Sequence, residues 1–138
     1  MLYMLDADGL LYYFINISQG GTPQPIDESA GPRTPWNPRT FGSINGDGQL
    51  IYAGKSGPLS SVRLDNIRDG IEDYEYLKTL ERLLVKKGKC KTQAEARAYV
   101  KENFVKFVTV NLWIHTHQPE LLRAMRAKVA EAIEKLGK

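Results

Sequence analysis

Seven apolar residues, Leu64, Ile67, Ile71, Tyr74, Leu77, Leu80 and Leu84, recur in steps of three and four. That spacing places them on one stripe of an α-helix, and the two-residue period of a strand does not fit it. Ser60 or Ser61 can cap such a helix at its start, and Gly88 can end it, so it is predicted to run to about Lys87. Its first turns gather Arg63, Asp65, Arg68, Asp69, Glu72 and Asp73. A helix that needed only to be soluble would scatter lysines and glutamates instead. Arg68 is spaced to pair with Asp65 and with Glu72. A cation at Arg63, near the helix start, opposes the helix dipole and therefore points to an acid or ligand partner.

The segments around this helix predict an α/β chain. Leu50–Ala53 is a strand ended by Gly54, preceded by the turn Asn45-Gly46-Asp47-Gly48 and followed by a turn at Ser56-Gly57-Pro58. Leu10–Ile15 (LLYYFI) is a continuous apolar run, the pattern of a strand buried on both faces as in a parallel sheet. Leu2–Leu5 is a shorter strand candidate, with a turn at Asp6–Gly9. Between the strands, Ser18–Asn45 holds five of the seven prolines and reads as a long loop, part of which Trp36 should order. Downstream, Thr92-Gln93-Ala94-Glu95 is a capping box opening a helix towards Val108. Pro119 opens a last helix whose apolar face is Leu122, Met125, Val129, Ile133 and Leu136. The expected order is thus two or three short strands followed by three α-helices. Residues 1–54 would hold the strands and the Pro-rich loop, 55–87 the long helix, and 92–138 the C-terminal helices. The 138 residues suffice for a single domain.

Charge is asymmetric. Residues 1–77 carry five Lys/Arg against ten Asp/Glu, and residues 78–138 carry fourteen against six. The basic residues are mostly lysines spread over amphipathic helices without interleaved aromatics, so nucleic acid is not an expected partner. No apolar run is long enough to span a membrane, and a membrane is not an expected partner either. The N-terminus lacks the basic region of a signal peptide. Cys90 is alone, which excludes an internal disulfide. His115 and His117 flank Thr116 beside Trp113. They lack a third ligand, and Pro119 opens a helix just after them, so no metal and no cofactor is expected.

One set of residues carries a family pattern. Gly9-Leu10-Leu11-Tyr12-Tyr13 and Asn16 are followed by Pro35-Trp36-Asn37-Pro38 and Gly46-Asp47-Gly48. Ile51-Tyr52, Gly54, Gly57-Pro58 and Arg63-Leu64-Asp65 come next, and then the specific block Arg68-Asp69-Gly70-Ile71-Glu72-Asp73-Tyr74-Glu75-Tyr76-Leu77. Together they resemble the C-terminal region of glycoside hydrolase family 123 and its relatives in domain-of-unknown-function family 4091. The resemblance implies the C-terminal part of a (β/α)8 (TIM-like) barrel, since a whole barrel takes about 250 residues. It implies action on β-linked N-acetylgalactosamine, in which the sugar's own 2-acetamido group attacks the anomeric carbon. In that scheme an Asp orients the acetamido group and an adjacent Glu protonates the leaving oxygen, unlike the two-carboxylate retaining route.

The family's Asp-Glu pair belongs at a strand end further upstream, and this sequence is expected to lack it and to be inactive alone. Asp27-Glu28 sits in the Pro-rich loop, where its geometry would be loose. Glu72-Asp73 lies within the helix, where neighbours diverge by about 100° and cannot share one substrate atom. The substrate-binding candidates are four. Asn16 and Tyr52 lie at the ends of the two expected strands. Asn16 can hydrogen-bond a sugar hydroxyl or cap its strand, and the Tyr52 hydroxyl can reach the site or a buried partner. Trp36 suits an apolar sugar face or anchors its loop. Arg63 lies at the helix start. The expected partners are a glycan containing N-acetylhexosamine and an upstream barrel half or a second copy of the chain. The alternative is a stand-alone carbohydrate-binding or interaction module that uses Trp36 and the Pro-rich loop.

Overall fold

The structure is a computed structural model and describes residues 1–12, 15 and 49–138. Its elements run β1 (Ile51–Ala53), β2 (Pro58–Ser60), α1 (Val62–Lys86), α2 (Gln93–Val100), a π-helical turn (Lys101–Val105) and α3 (Pro119–Gly137). The chain forms two compact units, Leu11–Asp69 and Met1–Leu10 with Gly70–Lys138.

In the first of these, β1 and β2 make an antiparallel hairpin with Tyr52 opposite Leu59. Its closing bond runs from Gly54 N–H to the Gly57 carbonyl at 3.0 Å. The turn expected at Ser56–Pro58 therefore ends one residue earlier, and Pro58 begins a strand. A connection this short joins only antiparallel strands. The Ile15 carbonyl accepts from Leu50 and Ile51 N–H, which brings the end of the apolar run beside β1. That run is not buried on both faces: Leu10, Leu11, Tyr12 and Ile15 are all exposed, Leu11 at 90%. Tyr13, Phe14 and Asn16 lie outside the described residues, as does the Pro-rich loop.

α1 forms as its periodicity predicts. Ser61 caps it, its hydroxyl accepting from Leu64 N–H at 3.2 Å. Gly88, at φ 67°, ends it in the left-handed region where glycine carries no Cβ penalty. Leu77, Leu80 and Leu84 are buried, but Ile71 is 54% exposed. The stripe is fully buried only along its later turns, where the second unit's core lies, while Leu64 and Ile67 are half-buried.

That core joins Leu77, Leu80 and Leu84 to Tyr3, Cys90, Ala96, Val100, Val105, Val108, Met125 and Val129. Each fully buried aliphatic side chain there contributes about 1.5–3 kcal/mol. Ile133 and Leu136 of α3 pack against the core as the sequence pattern predicts, whereas Leu122 is exposed. Leu2–Leu5 is not a strand but a turn, closed by Leu5 N–H to the Met1 and Leu2 carbonyls. Four residues gain more here by seating Tyr3 on the helices than by pairing as an isolated strand. Thr92 caps α2 through Glu95 N–H at 3.1 Å, but Glu95 reaches back to Lys91 N–H rather than to Thr92. α2 ends at Val100, and the π-helical turn carries the chain on to Val105.

Candidate functional site

Two of the four expected binding residues lie in the described structure, and they meet. Tyr52 stands in the middle of β1 and Arg63 in the first turn of α1. The tight hairpin returns the chain so that an Arg63 guanidinium N–H donates to the Tyr52 hydroxyl at 2.8 Å. Both side chains are half-buried. The partner that the unfavourable dipole position of Arg63 called for is therefore a phenol, not an acid. A guanidinium has five N–H donors, and one bond to Tyr52 leaves most of its fork for a ligand oxygen. Asn16 and Trp36 lie outside the described residues, and so does the pair Asp27-Glu28.

Beyond Arg63, Ser60 Oγ donates to Asp65 Oδ1 at 3.2 Å. Arg68 pairs with Asp65 at 3.5 Å, as the spacing predicts, and also with Asp69 at 3.4 Å. These side chains are about half exposed or more, so each pair adds only about 0.3–0.5 kcal/mol. Glu72 and Asp73 diverge as helical neighbours must. Glu72 is exposed, while Asp73 is buried and accepts from Arg126 Nε of α3 at 2.5 Å. They cannot act together on one substrate atom.

A second cluster was not anticipated. Glu81, 2% exposed, accepts from Tyr3 Oη at 2.9 Å, Lys78 Nζ at 3.2 Å and Arg97 Nε at 3.3 Å. Burial pushes its carboxyl up, but the three donors outweigh burial and hold it below the usual carboxylate value. Burial raises the Tyr3 phenol, and its bond to Glu81 raises it further. Asp6 extends the network to Lys101 at 2.6 Å and Arg97 at 3.3 Å. The Lys101 bond comes first among the causes that hold its carboxyl low. Asp6, Lys78, Glu81, Arg97 and Lys101 line a concavity of about 770 Å³ together with Arg82 and Gln93. An ionised, fully partnered glutamate has no proton to give, so this is an anchor and not a general acid. A signal for it exists in the sequence: Glu81 is four residues after Leu77 and three before Leu84, a charge on the buried stripe.

Among the described residues no group of three or more His, Cys, Asp and Glu is placed to hold a metal ion. The His115 and His117 rings lie 4.9 Å apart between centroids.

A family model described as Glycoside hydrolase 123, catalytic domain, matches residues 3–80. The chain belongs to glycoside hydrolase family 123. Comparison with curated proteins and with solved structures returns no match. The family 123 match contains Tyr52, Arg63 and the charged block Arg68–Leu77, together with Asn16 and Trp36. Glu81, α2, α3 and the loop before α3 lie beyond it.

Proposed function

We propose that this chain is the closing, C-terminal part of a (β/α)8-barrel glycoside hydrolase. Its substrate on this reading is a glycan bearing β-linked N-acetylgalactosamine. Tyr52 and Arg63 hold hydroxyl or acetamido oxygens of the sugar, with Asn16 and Trp36 completing the subsite. The Asp-Glu pair that orients the acetamido nucleophile and protonates the leaving oxygen comes from an upstream barrel half. The chain alone then binds sugar weakly and does not hydrolyse it.

The observation that carries this reading is the exposure of Leu10, Leu11, Tyr12 and Ile15 inside the residues that match a catalytic domain. A run this apolar suits a strand covered on both faces, which a completed parallel barrel provides. The divergence of Glu72 and Asp73 supports the same assignment, because the adjacent acids on α1 cannot supply the chemistry.

The test is hydrolysis of an aryl N-acetyl-β-galactosaminide. The purified chain is expected to give no turnover, and addition of an upstream barrel half to restore it. In the restored assembly Arg63→Met should raise KM about tenfold while kcat changes little. Turnover by the chain alone that Glu28→Gln abolishes would overturn the proposal. A monomeric chain that binds N-acetylgalactosamine and loses affinity on Trp36→Ala would favour the stand-alone binding module.

A further inference from the structure

The loop before α3 exposes a cluster of large apolar side chains that the proposed function does not use. Phe107 is 66% exposed, Val110 51%, Leu112 52%, Trp113 87% and Ile114 60%. The loop is a closed, hydrogen-bonded turn. Thr109 and His115 form an antiparallel bridge, and Thr116 N–H donates to the Val108 carbonyl at 2.8 Å. Val110 and Asn111 N–H donate to the Ile114 carbonyl, and Trp113 and Ile114 N–H donate to Asn111 Oδ1 at 2.8 Å. The Thr109 hydroxyl donates to the Asn111 carbonyl at 3.2 Å.

We infer that this tip inserts into the interface of an anionic lipid bilayer. Three observations select that occupant over a protein surface. Leu112, Trp113 and Ile114 are consecutive, so their side chains leave the turn in different directions, yet all are exposed. A protein partner covers one face, whereas a tip apolar all round needs a medium that surrounds it. The backbone donors of Val110, Asn111, Trp113 and Ile114 are satisfied within the loop, which lowers the cost of taking the tip out of water to the headgroup level. Charge supplies the third. The stretch Asn103–Pro119 contains no Asp or Glu, and residues 78–138 carry fourteen Lys/Arg against six Asp/Glu. An apolar tip without acids, in a stretch of the chain with an excess of cations, complements anionic headgroups, and Trp is the residue that favours the headgroup level. Lys106, paired with Glu102, lies 5.5 Å from the Phe107 ring at the base of the tip, where its stem can snorkel.

The chain has two tryptophans, so Trp36→Phe leaves Trp113 as the one reporter. That chain is mixed with phosphatidylcholine vesicles with and without about one-third phosphatidylglycerol. Co-sedimentation with the anionic vesicles, a blue shift of Trp113 emission and weakening by salt are the expected results. Replacing Leu112 and Trp113 together by Ser should lower partitioning at least about tenfold, with circular dichroism and melting temperature unchanged. No co-sedimentation, or undiminished binding by the double variant, would overturn the inference. So would a blue shift without vesicles that grows with protein concentration, since the tip would then dock on a second copy.

Discussion

At the scale of single residues, Glu81 governs more of this chain than any acid in the charged block on α1. It is a buried charge whose three donors come from the N-terminal turn, from α1 and from α2. Its folded-state pKa lies below the ordinary 4.5, so its contribution is fully present above about pH 4.5 and is lost as pH falls through the lowered value. Tyr3 and Tyr74 have pKa values above the ordinary 10.0. Their contribution is present below pH 10 and is lost as pH rises from there. We predict a stability plateau bounded on both sides. Urea unfolding across pH should show the acid limb shrinking in Glu81→Gln and the alkaline limb shrinking in Tyr3→Phe. At neutral pH, Glu81→Gln should cost about 2–4 kcal/mol, because it leaves Lys78 and Arg97 facing a neutral group. An unchanged acid limb in that variant would show that other carboxylates set it.

At the scale of elements, two glycines contrast: Gly70 within α1 and Gly88 just beyond its end. A Cβ on Gly70 would meet nothing within 4 Å, and Gly70 sits at an ordinary helical φ. Gly88 also has space, but its φ is +67°. Space is therefore not what separates them; backbone conformation is. Gly70→Ala should stabilise the chain by about 0.5–1 kcal/mol through helix propensity and reduced unfolded-state entropy. Gly88→Ala should destabilise it by about 1 kcal/mol. Paired thermal melts would decide this, and equal shifts of one sign would refute the argument. Removing the Thr92 cap by Thr92→Ala should cost about 1 kcal/mol and lower α2 protection in hydrogen exchange.

At the scale of the whole molecule, Leu10–Ile15 decides behaviour in solution. Leu11, Tyr12 and Ile15, apolar and exposed in the unit that holds the short hairpin, are a template for pairing with another strand. The isolated chain should self-associate with rising concentration, and Leu11→Lys should shift sedimentation towards monomer. Leu112→Ser with Trp113→Ser should not do so if the loop tip serves a lipid surface. If the loop variant and not Leu11→Lys abolishes association, the two apolar surfaces have been assigned the wrong way round.

Local rules account for much that the sequence determined alone. α1 from Ser61 to Gly88, the Thr92 cap, the start of α3 at Pro119 and the strand through Tyr52 all follow from periodicity, capping and turn chemistry, which act within a few residues. The pairing of Arg63 with another group follows from its dipole position, although its partner does not. Family membership also lay in the sequence, because the block Arg68–Leu77 is specific. Tertiary structure decided the rest. Whether Leu2–Leu5 pairs or turns depends on the helices beneath Tyr3, and whether Ile71 is buried depends on how far the packed core extends along α1. Pro58 joins a strand because the hairpin closes there. Glu81 becomes an anchor only once residues separated by 78 and 16 positions converge on it. Leu112, Trp113 and Ile114 are apolar in the sequence but too short a run to span a membrane, and that they stay uncovered is a property of the fold rather than of any local pattern.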